Sequence, residues 1–374
     1  MTARRVPAGI RSLLAAVLTL ATWAAAAGPA TAASTPAGGS TPGRPIPVLA
    51  YYYIWFNPTS WNRAKIDYPL VGRYSSDDTA VMSEQIRLAK QAGITGFLVS
   101  WKDTPVLDRR LARLRQVAAA NKFKLGVIFE GRDFYGKPLP MAEVRASFAY
   151  LASHYGTDPV FNIFGMPLVA WSGTWAYTPY QLASVTKVYK SRLTILATAK
   201  QPAGYQAIAH LFRGDAYYWS SADPLHTPGY QRKLNAFAAV VHHNGGLWIA
   251  PAAPGFDAKK VGGSRVVPRR GGQTLRLEMN AAMASSPDAI GLISWNEYSE
   301  NSEVEPSQLN GGTALTVIAS IEHTRAPVVQ DFDSSSPSGF AAGTSQFLTL
   351  GGLLLILLAG GFAVVLRRRR STDS

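Results

Sequence analysis

The sequence predicts a (β/α)8 TIM barrel in a single α/β domain, and three observations point to it. Between residues 47 and 324, short runs rich in β-branched and aromatic residues alternate with longer helical patterns, the order expected of βα units around a parallel sheet. Eight runs are strand-like and seven helical stretches are clear. Tryptophans and carboxylates gather where the strands end, the edge at which such barrels carry reactive groups. An open doubly wound sheet is the alternative for the same alternation.

Taken in order, strands are expected at 48–54, 94–101, 124–130, 168–171, 193–198, 216–219, 247–250 and 289–295. Helices are expected at 78–92, 106–121, 141–154, 179–189, 228–244, 274–285 and 312–323, with no clear pattern between the fifth and sixth strands. Asp77 and Asp78 precede the first helix, where a carboxylate caps free N–H groups and complements the positive dipole end. Gly93 suits the position just past its C-terminus.

The flanks have their own logic. Residues 1–32 read as a secretory signal, with Arg4, Arg5 and Arg11 ahead of an uncharged stretch that ends in Ala30-Thr31-Ala32. Residues 33–46 and 325–345 are rich in small and polar residues and are expected to be a linker and a stalk. Residues 346–366 carry no charge, and at about 1.5 Å per residue they match a hydrocarbon core of about 30 Å. Arg367 to Arg370, in the tail 367–374, place that end in the cytoplasm. The expectation is therefore an ectodomain held outside the cell membrane by a C-terminal transmembrane helix.

Several function classes are disfavoured. The absence of cysteine excludes disulfides and thiolate metal sites. Setting aside three signal arginines, the Arg367–Arg370 cluster and Asp373 from the net +14 leaves 30 basic and 22 acidic residues, a net +8. Those basic residues are scattered apart from short runs such as Arg269-Arg270, which suits a solvated or wall-facing surface rather than nucleic acid. No Gly-x-Ser-x-Gly elbow, P-loop or Gly-x-Gly-x-x-Gly is present. His242 and His243 would diverge by about 100° on a helix and make a poor metal pair. No metal, cofactor or nucleic acid is expected, and the ectodomain is expected to be monomeric.

The strand ends point to sugars. Trp55 follows the first strand, Trp101 ends the second, Trp171 the fourth, Trp219 the sixth and Trp295 the eighth, which is five of the eight tryptophans left after the signal. Flat aromatic faces suit the C–H faces of sugar rings. Carboxylates share that edge: Asp103, Glu130, and then Glu297, Glu300, Glu303 and Glu305 in the run Ser294-Trp295-Asn296-Glu297-Tyr298-Ser299-Glu300 onward to Pro306. Glycosidic cleavage needs a protonated acid and a second carboxylate. On a helical turn, Glu297 and Glu300 would lie about 5–6 Å apart at Cβ, and crowding would raise one pKa.

The run Trp295-Asn296-Glu297-Tyr298-Ser299-Glu300 through Glu305-Pro306 resembles the Trp-Asn-Glu-Trp-x-Glu-x-x-x-Ile-Glu-Pro motif of glycoside hydrolase family 99, the endo-α-mannosidase family. Tyr52-Tyr53-Ile54-Trp55-Phe56 looks like that family's opening, and 72–101 like its first βα unit; a clan that includes family 71 α-1,3-glucanases is also similar. The resemblance implies metal-free cleavage of internal α-linked sugars with retention. The residue matching Glu297 would engage the sugar 2-hydroxyl so that its oxygen attacks C1, and the residue matching Glu300 would be acid and then base. Tyr298 and Ser299 stand where the family has Trp and His, which bears on the sugar recognised. Together these readings assign Glu297 and Glu300 to catalysis, and Tyr53, Trp55, Trp101, Glu130, Trp171, Trp219, Trp295 and Asn296 to a polysaccharide or glycan substrate. A non-catalytic glycan-binding or cell-envelope accessory protein on the same barrel is the rival reading, and a glycan-modifying transferase a further one.

Overall fold

A computed structural model describes residues 45–329 apart from Ala64 and Phe134. The expected signal, transmembrane helix and basic tail lie outside the described residues, with most of the linker and stalk. Among the described residues, no helix is long and apolar enough to cross a membrane.

In chain order the strands are β1 (Val48–Tyr53), β2 (Gly96–Trp101), β3 (Lys124–Glu130), β4 (Leu168–Ser172), β5 (Thr194–Ala197), β6 (Gly214–Ala216), β7 (Leu247–Ala252), β8 (Phe256–Asp257), β9 (Val266–Val267) and β10 (Ala289–Leu292). The first seven and β10 close into an all-parallel barrel, with β10 between β7 and β1. The helices are α1 (Thr79–Gln91), α2 (Pro105–Ala120), α3 (Met141–Tyr155), α4 (Pro179–Tyr189), α5 (Pro202–Gln206), α6 (Tyr230–His243), α7 (Gln273–Ala284) and α8 (Thr313–Ile321). This is the (β/α)8 arrangement expected from the alternation.

Strand side chains divide by parity, because successive Cβ atoms point to opposite faces. Leu49, Tyr51, Leu98, Ile128, Leu168, Ala170, Leu196 and Ile249 form one buried cluster, the barrel interior. Val48, Ala50, Phe97, Val99, Val127, Phe129 and Val169 belong to the larger cluster between strands and helices. Each fully buried large apolar side chain contributes about 1.5–3 kcal/mol. In a chain without cysteine, these two layers carry the stability.

Local signals agree with the first βα unit. The Asp78 carboxylate accepts from the N–H groups of Ala80 at 2.9 Å and Val81 at 3.2 Å, capping α1. Asp77 acts differently, gathering Arg109, Arg110 and Arg113 of α2. Gly93 ends the helix at φ +97°, while the Ile94 N–H reaches back to the Ala89 carbonyl at 2.9 Å.

Three departures bear on the site. The sixth strand was expected at 216–219 but spans Gly214–Ala216, so residues 217–219 belong to its following loop. The eighth barrel strand ends at Leu292 rather than at 295, leaving Trp295 in a loop that folds back on itself. Between β7 and α7 the chain inserts the β8–β9 hairpin, which was not expected. The unclear link before β6 contains the short α5 and a 3-10 turn, Ala209–Leu211.

Candidate active site

The loop after β10 is pinned at both ends. The Trp295 N–H donates to the Tyr51 carbonyl at 2.7 Å, the Ser294 N–H to the Ser302 carbonyl at 2.7 Å, and the Val304 N–H to the Ser294 carbonyl at 2.8 Å. The tip is a turn, with Asn301 at φ +50° and the Ser302 N–H donating to the Glu297 carbonyl at 3.2 Å. The Glu297 N–H donates to Ser294 Oγ at 2.7 Å, and Glu297 Oε1 accepts the Ser299 N–H at 2.9 Å. The Glu300 carbonyl accepts the Asp257 N–H at 2.7 Å, tying the tip to the β8–β9 hairpin.

A cavity of about 700 Å³ lies at the carboxyl ends of the strands, and Glu297 and Glu300 both line it. Tyr53, Trp55, Glu130 and Trp219 line it too. Ser100 Oγ holds Glu130 Oε1 at 2.9 Å. Tyr53 Oη lies 2.8 Å from Tyr218 Oη, a cavity-lining residue that sequence reasoning missed. Parity would have found it, since Tyr218 continues the inward sequence set by Ala216. Arg132, Trp175 and Lys200 were missed as well, because they sit in loops where no periodicity guides a reader.

Four of the residues expected to contact substrate lie off the cavity. Trp101, Trp171 and Trp295 are wholly buried in the layer between strands and helices, and none lines the cavity. Trp101 ends β2 and Trp171 is the last residue but one of β4, but both have outward parity, one residue past the inward Ser100 and Ala170. Trp101 Nε1 donates to Asp108 of α2 at 2.9 Å, and Trp171 packs on Phe148 of α3 with ring centroids 5.1 Å apart. Asn296 is a lock between β1 and the loop. Its Oδ1 accepts the Tyr53 N–H at 2.8 Å, and its Nδ2 donates to the Tyr53 carbonyl and to Tyr74 Oη at 3.0 Å each.

The remaining carboxylates separate in the same way. Glu303 is buried against Arg269, whose guanidinium also donates to the Glu303 and Asn301 carbonyls at 2.8 and 3.0 Å. Glu305 accepts from Gln85 at 2.6 Å, Tyr298 at 3.0 Å and Tyr74 at 3.1 Å. Asp103 is exposed and away from the cavity. Among the described residues, no group of three His, Cys, Asp or Glu side chains is placed to hold a metal ion.

Residues 63–316 match the profile of glycosyl hydrolase family 99. The chain belongs to that family. It is 21% identical over 261 residues to a glycoprotein endo-alpha-1,2-mannosidase of Rattus norvegicus, covering 64% of this chain and 56% of the relative. To a glycoprotein endo-alpha-1,2-mannosidase-like protein of Danio rerio it is 22% identical over 274 residues, covering 64% and 58%. The chain thus spans little more than half the length of the curated relatives it matches. Its fold is similar to that of a GH99 endo-alpha-mannosidase from Bacteroides thetaiotaomicron, with a TM-score of 0.66, 18% identity, and 74% and 96% of the two chains covered.

In this family 99 barrel, the two cavity carboxylates sit in unequal surroundings. Burial raises both pKa values. At Glu297 the rise is opposed by the Lys65 ammonium and the Ser299 N–H; Lys65 itself donates to Ser299 Oγ at 3.2 Å. At Glu300 nothing comparable opposes it, and the Glu297 charge adds to it. Glu300 is therefore the group that keeps its proton to higher pH, and Glu297 the one that ionises first.

Proposed function

We propose that the protein is a membrane-anchored extracellular glycoside hydrolase that cleaves internal α-glycosidic bonds of an α-mannan-like or α-glucan-like polysaccharide. The observation that carries this reading is the pairing of Glu297 and Glu300 on one aromatic-walled cavity, with the environments just described. Membership of family 99 and the names of the relatives support an endo-acting α-mannosidase chemistry.

For an α-mannoside, whose O2 lies trans to the bond that breaks at C1, the proposed route is substrate-assisted; an α-glucoside, with O2 cis to that bond, could not follow it. Glu297 takes the proton of the sugar 2-hydroxyl, its oxygen attacks C1, and Glu300 protonates the departing glycosidic oxygen. Glu300, now ionised, takes a proton from water, which opens the 1,2-anhydro sugar at C1, and Glu297 returns its proton to O2. The two inversions give net retention. Both carboxylates come from a single turn, which suits this route better than one requiring carboxylates on opposite faces of the sugar.

The test is digestion of α-mannans and α-glucans by the full chain, read by new reducing ends and by the anomer first released. Shortened chains released as the retained anomer are expected; binding without cleavage on every polymer bound would favour a glycan receptor. Anchoring is tested separately by deleting residues 346–374, which should move the protein from cells to medium. Full-length protein found mainly in the medium would overturn it.

A further inference from the structure

Beyond β3, β4 and β5 the cavity wall carries charge that cleavage of a neutral sugar does not call for. Arg132 follows β3, Trp175 follows β4 and Lys200 follows β5, and all three line the cavity. The Arg132 guanidinium carbon lies 5.6 Å from the Trp175 ring centroid, and Lys200 Nζ lies 4.6 Å from the same centroid. Both cations thus lie within about 6 Å of the centre of one indole, and together they give this stretch of the wall a positive face at which an anion would be attracted.

The position of Arg132 is built rather than incidental. Its Nε donates to the Gly136 carbonyl at 2.7 Å, and Lys102 Nζ donates to its backbone carbonyl. Its methylene stem crosses Gly173, where a Cβ would come within 2.7 Å of Arg132 Cδ, and Gly173 at φ +83° starts the turn that presents Trp175. Among the described residues Arg132 has no ion pair and neither Nη has an acceptor, while Asp133 Oδ1 is engaged by the N–H groups of Tyr135 and Lys137. A planar guanidinium fixed in this way suits two-point binding of a carboxylate or phosphate.

We infer that Arg132, Trp175 and Lys200 form a subsite for a sugar residue bearing an anionic substituent, a carboxylate or a phosphate, so that the substrate is an acidic rather than a neutral α-glycan. The inference rests on the glycan reading above. Glu297 and Glu300 remain the reacting pair, and the cationic wall selects which chain is drawn across them.

The experiment uses the full chain with Glu300→Gln, so that bound ligand stays intact, and three α-linked oligosaccharides of equal length: neutral, uronate-bearing and phosphate-bearing. At low salt, at least one charged ligand should bind about tenfold or more tightly than the neutral one, and the advantage should shrink with added salt. The larger gain identifies the substituent. The preference should disappear in Arg132→Gln/Lys200→Gln, with melting unchanged. Equal binding of all three ligands overturns the inference and leaves the glycan reading standing, whereas no binding of any glycan overturns both. If the double variant does not fold, Lys200→Gln alone, at an exposed side chain, should reduce the preference; full preference in that variant also overturns the inference.

Discussion

Beside β1 and β10 the cavity is backed by a dense layer in which Tyr53, Asn296, Tyr74 and Glu305 form one chain of hydrogen bonds, while Glu297 is held by Ser294 and the Ser299 N–H. Beside β3, β4 and β5 it is open, and Trp175 and Lys200 are exposed over a floor held by Glu130. The first wall sets the protonation of two carboxylates, which requires burial and fixed donors. On the inferred reading the second would meet the substrate from solvent, which requires reach and charge. Chemistry and selection would then fall to different arcs of one barrel rim.

The largest effect expected is at the first wall. Glu300→Gln should lower cleavage of a natural glycan by about 10² to 10⁴, the usual contribution of general acid catalysis. An aryl glycoside with an acidic phenol should lose far less in its first step, whereas Glu297→Gln should damage both substrates. Steady-state rates on the two substrates check this, and full activity in either variant would remove that carboxylate from the mechanism.

Next come the tryptophans that the strand ends misleadingly expose to a sequence reader. Trp101→Ala and Trp171→Ala should each cost about 3–5 kcal/mol in denaturant unfolding, because both leave cavities in the buried layer. If either variant instead lost glycan affinity at unchanged stability, the division into core and cavity would be misdrawn.

A smaller effect follows from Glu305. Burial raises its pKa from 4.5 to about 7, against the donors Gln85, Tyr298 and Tyr74. A folded-state pKa above the unfolded value stabilises at low pH, and that contribution fades as pH rises from 4.5 toward 7. The loss should be on the order of 2 kcal/mol over that window. Melting across pH should show a downward slope, to which the buried Glu297, Glu300 and Glu303 also contribute, and Glu305→Gln should make it shallower; an unchanged slope would assign the titration elsewhere. The smallest effect belongs to the open wall, where Trp175→Ala should change stability by no more than about 0.5 kcal/mol. A larger drop in melting would mean that this wall is also structural.

Much of this was legible without coordinates. The barrel, its eight strands and the cavity positions of Tyr53, Trp55, Glu130, Trp219, Glu297 and Glu300 follow from alternation, strand ends and the motif after the last strand. Proximity to a strand end was too coarse a rule for the remaining tryptophans. A shift of one residue turns a side chain from the cavity to the helices, so Ser100 faces Glu130 while Trp101 meets α2.

What the sequence by itself determined are the features that depend on local order: the βα periodicity, the Asp78 and Gly93 helix ends, and the family motif around Glu297 and Glu300. Only the tertiary structure decided which glutamates of that run reach the cavity, because the fold-back of the loop buries Glu303 against Arg269 and Glu305 against Gln85. It also decided that Arg132, Trp175 and Lys200, far apart in the chain, share one wall. Side-chain partners brought together by barrel closure have no spacing in sequence to betray them, since the distance between them is set by the sheet and not by the chain.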